Sequence, residues 1–220
     1  MPTEIIPIRL GMANAFLLRS EAGYILVDTG MPGNSSRILE AMTIHGLAPI
    51  GLRLILITHG HTDHFGSAAK VRAKTNAPIA VHEADAIALR QGAHPSEWLH
   101  PTNWWVALGM RLFGSVGPKQ LRALEPDILL QGGERLDEYG IDGQVIHAPG
   151  HTPGSIAVLL DSGELLVGDI VMDMLGLRKR PGPPIIAWDL AMNAESVQQL
   201  AARNPRRVYS GHGGPFEHLT

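Results

Sequence analysis

The chain has 220 residues, 45% of them hydrophobic and 18% charged, with a formal net charge of −3 at pH 7. That length supports a hydrophobic core and a single domain, residues 1–220, and the balance excludes a disordered or fibrous chain. The slight negative charge offers no basic field for nucleic acid, and the absence of cysteine excludes disulfides and thiolate metal sites.

Three short apolar runs open the chain, over residues 4–10, 14–20 and 24–28, separated by Gly11 and by Glu21-Ala22-Gly23. They read as an antiparallel start. Ile38, Leu39 and Met42 recur at helical spacing over residues 35–45, with Gly46 placed to end the helix. Asn34-Ser35-Ser36 matches a glycosylation pattern, but it reads as a helix cap. Leu52 to Ile57 reads as a buried strand, residues 67–74 as a helix, 78–82 as a strand and 83–91 as a helix.

Residues 92–127 break this rhythm with Trp98, Trp104, Trp105, Met110, Leu112 and Phe113 among prolines and glycines. This reads as a helical, aromatic-rich insertion, too short for a core of its own. Strand patterns return over residues 127–130, 144–148, 155–160 and 165–167, with Asp161-Ser162-Gly163 as a hairpin turn. A Pro- and Gly-rich loop over 170–189, an amphipathic helix over 193–203 and a strand over 207–210 complete the chain. No run approaches the roughly 18 apolar residues that a membrane span requires. Residues 1–7 lack the basic and apolar regions of a signal peptide, so a cytoplasmic location is expected.

The most informative stretch is His59-Gly60-His61-Thr62-Asp63-His64. It places three imidazoles and a carboxylate, ligands that suit zinc, iron or manganese, on a loop at the end of a buried strand. Three further strand ends carry a lone His or Asp beside glycine: Gly150-His151-Thr152-Pro153-Gly154, Gly168-Asp169 and Gly211-His212-Gly213. Together they offer His59, His61, Asp63, His64, His151, Asp169 and His212, enough for two metals sharing one carboxylate. The other six histidines (His45, His82, His94, His100, His147 and His218) lack that spacing; His94 and His100, in the insertion, could still approach the mouth.

This set resembles the metallo-β-lactamase-fold hydrolases, whose mark is His-x-His-x-Asp-His followed by separate His, Asp and His ligands. Asp28-Thr29-Gly30 ahead of the motif belongs to the same resemblance. It implies an α/β fold, a four-layer αββα sandwich of two mixed sheets flanked by helices. It also implies that His59, His61 and His151 hold one divalent ion, that Asp63, His64 and His212 hold a second, and that Asp169 bridges. Zinc is the first expectation for both, with iron or manganese as alternatives. Asp28 would order the metal loop from behind.

The reaction implied is hydrolysis of an ester, thioester or lactone in a small-molecule substrate, as in the glyoxalase II-like and lactonase branches. Asp63 would be catalytic, orienting the nucleophile and accepting its proton. A mono-iron persulfide dioxygenase-like oxidoreductase and a β-lactam hydrolase are the alternatives. Arg178 and Arg180, with Lys179, follow Asp169 and could pair an anionic substrate; Trp104 and Trp105 could contact an apolar one. The insertion either roofs the site with an acyl-binding wall or forms a homodimer face.

Overall fold

A computed structural model of the chain describes residues 3–113, 120–173 and 181–219. The antiparallel start is β1 (Glu4–Arg9), β2 (Asn14–Arg19) and β3 (Tyr24–Val27). Helix α1 (Ser35–Ile44) leads to β4 (Ile55–Leu56), a one-turn α2 (Thr62–Phe65), α3 (Ala68–Thr75), β5 (Ile79–His82) and α4 (Ala86–Gln91). Next come β6 (His100–Pro101), α5 (Trp104–Phe113), β7 (Ile128–Leu130) and β8 (Gly143–His147). Then follow β9 (Ile156–Leu160), β10 (Glu164–Leu166), β11 (Ile186–Ala187), α6 (Leu190–Ala201) and β12 (Arg207–Tyr209).

Strand order is β1-β2-β3-β4-β5-β7 in one sheet and β12-β10-β9-β8 in the other. Both are mixed. From β3 to β7 the first sheet pairs in parallel, as do β10 and β12 in the second. Period-two alternation then sorts side chains into layers. Leu17, Leu26, Ile55, Ile57, Ile79 and Val81 face the helices, where they meet Ile38 and Met42 of α1, Val71 of α3 and Leu89 of α4. Their neighbours Phe16, Leu18, Ile25, Val27, Leu56 and Ala80 face the second sheet and pack on Val145, Ile156, Val158 and Leu160. On that sheet's far side, Ala157, Leu165, Val167 and Val208 pack against Leu200 of α6. The result is the expected four layers, αββα. A strand buried on both faces shows no polar alternation, which is why Leu54-Ile55-Leu56-Ile57 reads as one apolar run.

Three local expectations shift. The last helix starts at Leu190, three residues early, because Asp189 caps it: its Oδ1 accepts the Met192 N–H at 3.0 Å. Asn34 occupies the cap position of α1 but makes no side-chain cap bond, and its own N–H donates to Ser67 Oγ at 3.0 Å. The insertion is not all helix: Trp98 is buried against the helical layer, and β6 pairs antiparallel with β11. That pairing ties the insertion to the loop around residues 181–189.

Helix α6 begins against the loop that carries His151, where Asp189 N–H donates to Gly150 O at 2.8 Å and Ser196 Oγ to Pro149 O at 2.7 Å. Replacing Asp189 by Ala should therefore lower stability by about 1 kcal/mol, the usual value of a lost cap, read from denaturant unfolding.

Candidate metal centre

Every functional side chain leaves the end of a strand. Val27 of β3 is followed by Asp28, β4 by Thr58 to His64, β8 by the His151 loop, β10 by Asp169 and β12 by His212. Main-chain bonds lock these loops together. Thr29 N–H donates to His64 O at 2.7 Å, Ile156 N–H to Thr58 O at 2.9 Å, and Gly211 N–H to Gly168 O at 2.7 Å. Gly211 has to be glycine, since a Cβ there would run into the Asp169 carboxylate and the His64 ring.

The seven sequence-predicted ligand residues meet in one cluster. His151 Nε2 lies 3.2 Å from His59 Nε2 and 2.9 Å from His61 Nδ1. Asp169 Oδ1 is 3.3 Å from His64 Nε2, and its Oδ2 is 3.1 Å from His212 Nε2, 3.7 Å from His151 Nε2 and 3.9 Å from His59 Nε2. Asp63 Oδ2 is 3.3 Å from His212 Nε2 and 3.9 Å from His64 Nε2. Three groups have their donor atoms within 4.8 Å of one another: His59–His61–His151, His59–His64–Asp169 and Asp63–His64–His212.

Hydrogen bonds behind the rings decide where the lone pairs point. His151 Nδ1–H donates to Ile186 O at 3.0 Å and His212 Nδ1–H to Met12 O at 2.8 Å. His64 Nδ1 meets Asp28 Oδ2 at 2.8 Å. Thr58 Oγ1 donates to the Asp28 carboxylate at 2.7 Å, so its own oxygen accepts from His59 Nδ1, 3.0 Å away. Four rings are thus held by Nδ1 from outside, and each turns Nε2 into the cluster. Asp28 anchors this array from a left-handed backbone, φ 61°, and also accepts the Thr58 N–H at 2.8 Å.

His64 Nε2 and Asp169 Oδ1 are buried inside the cluster without a hydrogen-bond partner, and His61, whose Nδ1 faces His151, leaves its Nε2 buried and unpartnered on the far side of the ring. Each orphan of this kind costs about 1–3 kcal/mol, and divalent cations answer a set of convergent nitrogen and carboxylate lone pairs. The donor set fits a divalent metal.

Electrostatics divides the cluster. Burial, reinforced by neighbouring imidazoles, holds His59 and His61 well below the usual histidine range, and burial lowers His151. Burial acts the same way on His64, but the Asp169, Asp28 and Asp63 carboxylates override it and hold the ring well above that range. His212 is pushed up to about 10: burial opposes, and Asp169 outweighs it by charge and hydrogen bonding. Burial would raise Asp63 and Asp169, yet His64 and His212 hold both below the usual carboxylate range.

The cluster floors a chamber of about 820 Å³, part of it open to solvent, walled by Met12, Met31, Val106, Met110, Met172 and Ile186. His94 lines it beside His61, with ring centroids 5.2 Å apart, whereas His100 is exposed. Trp104 and Trp105, expected to contact substrate, are 61% and 66% exposed and stack on each other; the chamber face of α5 is Val106 and Met110. On this helix the two indoles and the two chamber residues point opposite ways. Arg178 and Arg180 lie outside the described residues. His82 and His147 stack at 3.9 Å away from the cluster. Sequence reasoning missed the Met12 and Ile186 carbonyls, which carry no residue signature, and Asp85, which resembles an ordinary acid at a helix start.

In the metal-free chain His64 and His212 keep protons that a metal has to displace, so zinc uptake at pH 7 should release about two protons per chain. Calorimetry in buffers of different ionisation enthalpy measures this. The raised His212 value contributes stability that is full below pH 6.5 and lost as pH rises through about 10. The melting temperature of the chelated protein should therefore fall across that window, and zinc should suppress the fall.

The chain matches the metallo-beta-lactamase superfamily over residues 8–212. It is 24% identical over 217 residues to YqgX of Bacillus subtilis (strain 168), named a probable metallo-hydrolase, covering 98% of this chain and 92% of that one. To the uncharacterized protein YobT of the same organism it is 30% identical over 210 residues, 91% of this chain and 82% of the relative. Among solved structures, a metallo-beta-lactamase family protein from Thermus thermophilus superposes with a TM-score of 0.72 at 24% identity, covering 98% of this chain and 74% of that one. That likeness is one of fold. Fold, ligand cluster and family match agree: this chain belongs to the metallo-beta-lactamase superfamily of metal-dependent hydrolases.

Proposed function

We propose that the chain is a dinuclear hydrolase that cleaves the carbonyl of an ester, thioester or lactone whose acyl part is apolar. The carrying observation is the convergence of His59, His61 and His151 in one ligand group, of Asp63, His64 and His212 in a second, and of Asp169 with His59 and His64 in a third, at the floor of a methionine-rich chamber. Zinc suits these nitrogen and oxygen donors, as iron or manganese would. Bound divalent ions supply Lewis acidity and a water that ionises near neutral pH.

The chain's own residues do the rest. Asp169, buried in the cluster, offers Oδ1 toward His64 and Oδ2 toward His212, with His151 and His59 at 3.7 and 3.9 Å from that same Oδ2, which suits it to be shared. Asp63 lines the chamber with a side chain 27% exposed, so its carboxylate faces substrate while His212 holds it from behind. Ionised across the neutral range, it orients the attacking water and accepts its proton. Met12, Met31, Met110 and Met172 provide walls that adapt to a flexible apolar group and exclude water around the scissile carbonyl.

The test is a screen of zinc-loaded protein against lactones, acyl-glutathione and acyl-CoA thioesters, simple esters and a β-lactam. Turnover of a carbonyl ester, thioester or lactone, lost to a chelator and regained with zinc, is expected. Replacing Asp63 by Ala should lower kcat by about 10²–10⁴ with the fold intact by circular dichroism. A single bound iron with oxygen consumption, or unchanged turnover in that variant, contradicts the reading.

A further inference from the structure

A fourth carboxylate supports the cluster and, like Asp28, belongs to none of its ligand groups. Asp85 is fully buried in the turn Glu83–Asp85 between β5 and α4. Its Oδ2 accepts the Gly60 N–H at 2.7 Å and the Thr152 hydroxyl at 2.6 Å, and its Oδ1 accepts the Gly154 N–H at 2.6 Å. Because Thr152 Oγ1 donates to Asp85, it accepts in turn from Ser155 Oγ, 2.7 Å away, which itself accepts the Thr152 N–H at 3.0 Å. Every proton in this small network has a defined direction.

Besides His64, the two loops that Asp85 grips carry His59, His61 and His151, the three imidazoles of one ligand group. Gly60 stands between His59 and His61, and Thr152 follows His151. Both loops are glycine where they close on this turn. A Cβ on Gly154 would lie 2.7 Å from Asp85 Cγ and 2.8 Å from its backbone nitrogen, and one on Gly60 would lie 2.7 Å from Ala88 Cβ. Three donors and no acceptor face the side chain, so both of its oxygens must accept. An amide in its place would turn an NH₂ toward an N–H.

We propose that Asp85 is a positioning residue for the His59–His61–His151 group, holding its two loops at the spacing a metal needs. It does for this group what Asp28 does for His64, and it rests on the metal-binding reading of the cluster given above. The two carboxylates divide the work. Asp28 grips the start of the motif loop and the ring of His64, while Asp85 ties the middle of that loop to the neighbouring His151 loop.

Zinc competition against a chromophoric chelator tests this in two backgrounds of the full chain. In His212→Ala the group Asp85 supports remains; in His61→Ala it does not. Asp85→Asn, which keeps the volume and spoils one acceptor, should weaken zinc binding about 10–100-fold in the first background and less than about threefold in the second. Thr152→Val, which removes the hydroxyl linking Asp85 to Ser155 without altering the carboxylate, should weaken it about fivefold in the first background only. Equal losses in both backgrounds, or a lowered melting temperature with unchanged zinc affinity in His212→Ala, would overturn the inference while leaving the metal reading in place. A wild-type chain that takes up no zinc would overturn both.

Discussion

Asp169 is the residue around which the structure is arranged. Its two oxygens stand 3.3 Å from His64 Nε2 and 3.1 Å from His212 Nε2, with His59 and His151 just beyond, and almost no solvent reaches it. Such a concentration of lone pairs, pulled out of water, is unstable as a set of bare neighbours. It persists because each ring is held from behind. Carbonyls of Met12 and Ile186, the hydroxyl of Thr58 and the carboxylate of Asp28 take the outward ring nitrogens. Two well-packed sheets then supply the stiffness that keeps those partners in place.

The fold explains why this site can exist at one edge and nowhere else among the described residues. Strands β3, β4, β10 and β12 run so that their C-terminal ends emerge along the same side of the sandwich. The short loops there are pinned by main-chain bonds that cross from one sheet to the other, such as Ile156 to Thr58. Ligands separated by up to 153 residues in sequence, His59 and His212, therefore meet without any long unsupported segment. The chamber above the cluster is built differently. Chamber walls come from α5 and from the stretch around β11, joined through the β6–β11 pair. Ile186 of that stretch also holds the His151 ring through its carbonyl, so chamber wall and ligand cage share one element.

Much of this was legible in the sequence, and for physical reasons. Apolar runs such as residues 54–57 mark strands buried on both faces, and His59 to His64 announces metal chemistry because those residue types rarely crowd together for any other purpose. The layered fold followed from a resemblance carried by the motif residues themselves. Other features were out of reach. Asp85 carries no local signature, since its partners Gly60, Thr152 and Gly154 become neighbours only after folding. Backbone carbonyls that fix tautomers at Met12 and Ile186 belong to no residue type. Trp104 and Trp105 drew attention by their size, yet helical phase turns Val106 and Met110 to the chamber instead. The cap at Asp189 was readable in principle, and the amphipathic pattern downstream masked it.

On the proposed reading, one cage of five imidazoles and two carboxylates holds two divalent ions about a shared Asp169. Anomalous X-ray scattering from crystals of the zinc-loaded protein tests it most directly. Two peaks per chain are expected, one among His59, His61 and His151, the other among Asp63, His64 and His212, with Asp169 between them. A single peak at full occupancy, or ions bound elsewhere while these side chains stay unligated, would contradict it.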